Sequence, residues 1–228
     1  MSAPRQTSAA RARRWRATLG RVFVISSPSG GGKTTVVERV LRTIPRLVRS
    51  VSVTTRAPRR GECRGRDYQF MSTASFDRLR RTGALLEWAW VHGAFYGTPK
   101  QFVLEALAQG QDVILSIDVQ GARKIRRAFG AQAVLIFLVP PSLEDLRQRL
   151  LTRRTETAPE IRKRLTVAAQ EIACASWYDH TVVNDRLQQA IARVKAIVRA
   201  ARRRAIRPLR EPISSILTER RGVAKWHR

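Results

Sequence analysis

The stretch Ser26–Thr35, SSPSGGGKTT, sets three consecutive glycines directly ahead of a lysine and two hydroxyl side chains. These residue types suit a phosphate cradle. Glycines let backbone N–H groups converge on oxyanions, a lysine adds a point charge, and a hydroxyl can ligate Mg2+. The order nearly matches the pattern G-x-x-x-x-G-K-[ST], with Ser27 where the first glycine stands. Ser27 is small, and the entry to such a loop demands little bulk. Ser27, Pro28, Ser29, Gly30, Gly31 and Gly32 are therefore expected to wrap the phosphates of a nucleoside triphosphate. Lys33 is expected to reach the β- and γ-phosphates, and Thr34 to ligate Mg2+.

A cradle of this kind needs a strand before it and a helix after it. The apolar run RVFVIS from Arg21 reads as a buried strand, and Thr34–Ile44 as the helix whose N-terminus faces the phosphates. Arg49–Arg56 is a further β-prone run, ended by Pro58. SFDRLRRTG reads as a short helix with a serine cap and a glycine stop. LLEWAWV and DVILSID read as strands around a helix from Pro99 to Gln109. Ala133–Val139 is a continuous apolar run followed by the helical SLEDLRQRLL. A long amphipathic pattern, Pro159–Ser176, precedes the strand-like HTVVND and a final helix from Leu187. Apolar strands alternating with helices imply βαβ units and an α/β fold, a parallel sheet with helices on both faces. The polar, basic segment Arg153–Lys163 between two helices reads as a mobile lid.

Composition narrows the class. The chain has 228 residues and 43% hydrophobic content, enough for one folded domain with a substantial core. No apolar run approaches the roughly 18 residues of a membrane span, so no membrane partner is expected. Cys63 and Cys174 lack metal-ligand spacing and read as free thiols of a reducing compartment, the cytoplasm. The net charge of +27 is carried overwhelmingly by arginine. It fits attraction to nucleic acid or phosphorylated small molecules, and fits equally a solvated arginine-rich surface. Residues 1–20 contain no acid and read as a disordered basic extension rather than an organellar leader. Residues 208–228 read as a basic tail outside the main fold.

SSPSGGGKTT, SVTTRAPRRGE, RDYQF, LEWAWVHGAFYGTP, DVILSIDVQGA, LVPPSLEDLRQRL and VVND, in that order, resemble the guanylate kinase family. The resemblance runs from about Val22 to Arg204 and leaves both basic ends uncovered. It implies a P-loop NTPase-type fold over residues 21–207, with a small GMP-binding insertion at about 50–98 and a lid at about 149–164. It also implies transfer of the γ-phosphate of ATP to GMP, and to dGMP, with Mg2+. Arg56 and Arg59 can neutralise the acceptor's phosphate through bidentate bonds, and Tyr68 and Tyr96 match the family's phosphate-binding tyrosines. Guanine shows two donors, N1–H and the N2 amine, and Glu87 and Asp118 match the family's guanine-reading acids. Ser52 and Thr98 match its hydroxyl contacts to the base. RRTET and IRKRL resemble the family lid and place Arg153 and Arg164 at its catalytic arginines, with Arg149 a weaker third candidate. Asn184 matches a position near the adenine pocket.

Three positions depart from the family pattern. Ser116 stands where an acid is common, near the metal's water shell. Arg154 replaces a glycine beside the lid arginine, and Arg186 follows VVND where another acid is common. Three other functions compete with the reading. A non-catalytic module of the same fold is opposed by Gly32, Lys33 and Thr34. A kinase of another phosphorylated acceptor is opposed by Glu87 and Asp118. An obligate nucleic-acid binder has no recognition element here, which leaves at most weak binding by the tails.

Overall fold

In a computed structural model, which describes residues 19–59, 61–91, 93–152 and 157–204, the first strand, β1 (Val22–Ser26), is buried along its whole length. Alternation explains the apolar run. Val22 and Val24 point into one core layer, Phe23 and Ile25 into another. A strand covered on both faces has no polar side to show.

The chain then forms α1 (Lys33–Leu41), β2 (Leu47–Arg49), β3 (Val53–Thr54), β4 (Gln69–Phe70) and α2 (Thr73–Arg81). Next come β5 (Leu85–Val91), β6 (Ala94–Pro99), α3 (Lys100–Ala108), β7 (Asp112–Ser116), α4 (Val119–Phe129) and β8 (Ala133–Val139). α5 (Leu143–Thr152), α6 (Ala158–Ala173), β9 (His180–Val183) and α7 (Leu187–Arg203) complete it. β2, β7, β1, β8 and β9 lie in that order in one all-parallel sheet. Side chains of α3 and α4 share one core layer with it, those of α1 and α7 the other. The α/β architecture with helices on both faces is as the sequence implies.

A second, four-stranded sheet runs β4–β3–β6–β5 and is antiparallel except where β3 meets β4. Here the structure departs from the sequence reading. The run Arg49–Arg56 is not one strand: only its first residue belongs to β2 in the parallel sheet, and β3 begins in the second sheet after Ser50–Ser52. LLEWAWV also belongs to the second sheet, paired with β6. The cap of α2 is Ser72, whose hydroxyl accepts the Ser75 N–H at 3.2 Å, so the helix starts ahead of the serine in SFDRLRRTG. α5 and α6 form a third small core from Leu146, Leu150, Ile161 and Ala168. It packs separately from the two main layers.

Candidate active site

The loop between β1 and α1 lies at the C-terminal edge of the parallel sheet, beside the end of β7. This is where open α/β sheets bind ligands. Helix α1 has Gly32 as its N-cap residue and no side-chain cap, an arrangement that suits an anion at its first-turn N–H groups. Gly32 has φ +85°, and a Cβ there would lie 2.4 Å from Asn184 Nδ2. No other residue fits both constraints. The Asn184 amide donates to Gly31 O at 2.8 Å, and Arg149 donates to the Asn184 carbonyl at 2.8 Å. Asn184 and Arg149 thus brace the loop from β9 and α5. Asn184 Oδ1 is buried and unpartnered in this state.

Lys33 Nζ donates to Ile117 O at 3.2 Å, which ties the loop to the segment after β7. Burial lowers the Lys33 pKa, against the opposing charges of Asp118 and Glu171, and the Arg49 charge lowers it further. Thr34 is exposed in the first turn of α1, and Ser116 is half-buried at the end of β7. Arg164 donates to Ser29 Oγ at 2.7 Å, so α6 already reaches the loop. Arg153 and Arg154 lie outside the described residues, as do the two basic ends.

In the second sheet, Glu87 on β5 is 5% exposed and stands opposite Thr98 on β6, whose hydroxyl donates to Glu87 Oε1 at 2.6 Å. Burial pushes the Glu87 pKa up to about 7; the Thr98 bond opposes this, the Asp118 charge adds to it, and Lys124 opposes it. Asp118 caps α4, its Oδ1 accepting the Gly121 N–H at 2.9 Å. A Cβ at Gly121 would come within 2.7 Å of Glu87 Oε2 and 3.2 Å of Asp118 Oδ1. The two acids therefore converge on one glycine, whose lack of a side chain leaves them room.

The remaining predicted residues line the second sheet. Tyr68 and Tyr96 meet edge-on at 5.8 Å between ring centroids, with the Arg56 guanidinium 5.4 Å from the Tyr68 ring. Burial raises the Tyr68 pKa most, and the charge of Arg56 opposes it. Ser52 is buried, its carbonyl accepting the Gln69 N–H at 2.9 Å. Arg59 is exposed, and its backbone N–H donates to Glu62 at 2.7 Å.

Two acids escaped the sequence reading. Glu62 accepts from Arg56 Nη2 at 2.8 and 2.9 Å; it lies three residues past Arg59, inside the quoted SVTTRAPRRGE. Glu171 interacts with Lys33 and Asp118 from α6, and burial pushes its pKa up to about 7. It follows Arg164 by seven residues, two helical turns along the same face, and that spacing was the available signal.

Comparison with known proteins points to one family. The sequence profile described as guanylate kinase matches residues 19–201. A guanylate kinase of Gloeobacter violaceus is 49% identical over 180 residues, 79% of this chain and 87% of that one. One of Rhizobium meliloti is 45% identical over 205 residues, 89% of this chain and 94% of that one. The crystal structure of guanylate kinase from Anaplasma phagocytophilum superposes with a TM-score of 0.71 at 37% identity, covering 82% of this chain and 88% of that one.

Proposed function

The chain belongs to the guanylate kinase family, ATP-dependent phosphotransferases that act on GMP, and we propose that the loop and pocket above carry this reaction, residue by residue. One observation supports the reading most: Lys33, in the first turn of a helix with no side-chain cap, is tied to the segment beside Asp118, and Asp118 converges with the buried Glu87 on Gly121.

Residues 27–34 hold the triphosphate of ATP, with Asn184 behind the loop beside the adenine. Lys33 neutralises charge that builds between the β- and γ-phosphates. Guanine is read by its donors, N1–H and the N2 amine, against Glu87 and the second oxygen of Asp118, since the first caps α4. Ser52 and Thr98 add hydroxyls. Arg56, Arg59, Tyr68 and Tyr96 hold the acceptor's phosphate, so that one of its oxygens attacks the γ-phosphorus in line and ADP leaves. Arg164 and Arg153 stabilise the charge spread over the transferred oxygens. Arg164 is already seated against Ser29.

The donor set fits Mg2+ carried in with the nucleotide. Thr34 offers one hydroxyl and Ser116 another, and among the described residues no three acids, histidines or cysteines cluster as a protein-built metal site. Mg2+ binds mainly phosphate oxygens and water with few protein ligands. When bound, it neutralises phosphate charge and orients the γ-group. The kinase domain is assigned to residues 21–207, with the GMP-binding part at 50–98 and the lid at 149–164. dGMP is a second acceptor, because no assigned contact requires the 2′-hydroxyl. A reducing cytoplasm suits the free thiols Cys63 and Cys174.

Coupled ADP release with Mg2+–ATP and GMP, dGMP, IMP, AMP, CMP or UMP tests the assignment. GMP and dGMP should turn over at least about a hundredfold better than AMP, since a site built to hydrogen-bond a group rejects analogues lacking it. Comparable AMP turnover would remove the roles given to Glu87 and Asp118.

A further inference from the structure

Arg56 is committed before any substrate arrives. Its Nε donates to the Tyr96 hydroxyl oxygen at 3.0 Å, Nη1 to Ala57 O at 2.6 Å, and Nη2 to both Glu62 oxygens at 2.8 and 2.9 Å. Glu62 is fixed in turn by the Arg59 N–H at 2.7 Å. Burial raises the Glu62 pKa, but the Arg56 bond, the Arg59 N–H and both arginine charges outweigh it, so the carboxyl stays ionised. A guanidinium has five N–H donors in a rigid fork. With Nε on Tyr96 and Nη2 on Glu62, this fork has no unoccupied edge for a bidentate grip on phosphate.

The same bonds define what Tyr96 can do. A phenol oxygen that accepts from a cation must send its own proton elsewhere, and a hydroxyl polarised in this way is a stronger donor. We infer that Glu62 is a positioning residue for the acceptor's phosphate: by holding Arg56 it keeps Nε–H on the Tyr96 oxygen and leaves the Tyr96 proton to donate to that phosphate. Arg56 then acts through Tyr96 and through its charge rather than as a two-pronged clamp. The inference rests on the reading of Tyr96 as a phosphate contact. The opposite role is also defined. If Glu62 stood in the phosphate's own place on Arg56, removing its charge would tighten GMP binding.

Steady-state kinetics of Glu62→Gln, Tyr96→Phe and the double variant separate these roles, with guanosine as an inhibitor that lacks the phosphate. Glu62→Gln should raise the KM for GMP about tenfold and change kcat by less than about threefold, the pattern of lost binding rather than lost chemistry. The KM for ATP and the Ki for guanosine should stay at wild-type values. The double variant should be no worse than the more affected single variant, because both changes silence one hydroxyl. Arg56→Lys, which keeps the charge but cannot bridge Tyr96 and Glu62, should reproduce the Glu62→Gln pattern. An unchanged or lowered KM for GMP in Glu62→Gln, with Tyr96→Phe impaired, overturns the inference and leaves the site reading standing. A guanosine Ki that rises in step with the GMP KM overturns it too, by making Glu62 a scaffold for the whole pocket. An unaffected Tyr96→Phe removes both the inference and the reading of the phosphate site.

Discussion

Glu87 carries its own pH signature. Its folded pKa of about 7 stands well above the ordinary 4.5, chiefly through burial. Between those values the folded protein keeps a proton that the unfolded chain has lost, so stability falls as pH rises across that window and levels off above it. The fall attributable to Glu87 is about 3 kcal/mol at about 1.4 kcal/mol per unit. Glutamine at this position cannot ionise, so Glu87→Gln should gain on the wild type by about that amount between pH 4.5 and 7.5. Urea unfolding of both proteins across the range measures it, and a constant difference would mean that Glu87 titrates normally. Glu171 rises to about 7 as well, but it is present in both proteins and drops out of the comparison. Function should move in the opposite direction. The ionised carboxylate accepts guanine's donors, so kcat/KM for GMP should climb through pH 7 in the wild type. That limb should flatten in Glu87→Gln, on top of a loss of about a hundredfold.

Among the elements, α1 is held by its loop rather than by a cap, and the loop is held by Asn184. Gly32→Ala should therefore do double damage. The left-handed φ of +85° costs an alanine about 1–2 kcal/mol. The new methyl, 2.4 Å from Asn184 Nδ2, also displaces the amide from Gly31 O, and breaking that buried bond adds about 1–3 kcal/mol. The KM for ATP should rise, and adding Asn184→Ala should recover part of the stability by removing the clash. If it recovers none, the backbone strain alone is at fault. The opposite end of the sheet offers a contrast. Asp112 opens β7, 7% exposed, and its oxygens accept the Arg21 N–H at 2.7 Å and Arg202 Nε at 2.6 Å from the end of α7. Asp112→Ala leaves the buried Arg21 N–H without its acceptor and removes the ion pair of the half-buried Arg202, and should cost about 1–3 kcal/mol. Because the nucleotide loop lies at the other end of the strands, kcat below the melting temperature should hardly change. A matched loss of activity would tie α7 to the site.

For the whole molecule, the charge of +27 acts in two directions at once. A cationic surface draws an anionic acceptor toward the cleft, and the same like charges strain the folded state. Salt screens both over a Debye length of about 10 Å at 0.1 M. Raising NaCl from about 0.05 to about 0.5 M should thus lower kcat/KM for GMP several-fold while raising Tm by a few degrees. Opposite signs for the two observables are the distinguishing feature. If Tm falls instead, surface ion pairs outweigh repulsion; an unchanged kcat/KM would confine the acceptor's attraction to the pocket itself.

What the sequence determined by itself is local. The glycine loop, the lysine after it and the helix beyond are contiguous, and their geometry follows from backbone freedom and a helix N-terminus with no cap. The doubly apolar β1 and β8 likewise announce a sheet covered on both faces. Only tertiary structure decided which distant groups meet. Nothing near Arg49–Arg56 says that Arg49 closes a strand of one sheet while Val53 and Thr54 join another, because a short β-prone run carries no record of its partner strand. Asn184 lies 153 residues from Gly31 and Arg164 lies 135 from Ser29, and each reaches its partner through the packing of whole elements. The pairing of Glu62 with Arg56 is close in the chain, but the same guanidinium also meets Tyr96, which lies 40 residues from Arg56. Spacing along a strand or helix sets which face a residue occupies, whereas the neighbour on that face is chosen by the burial of apolar surface elsewhere in the fold.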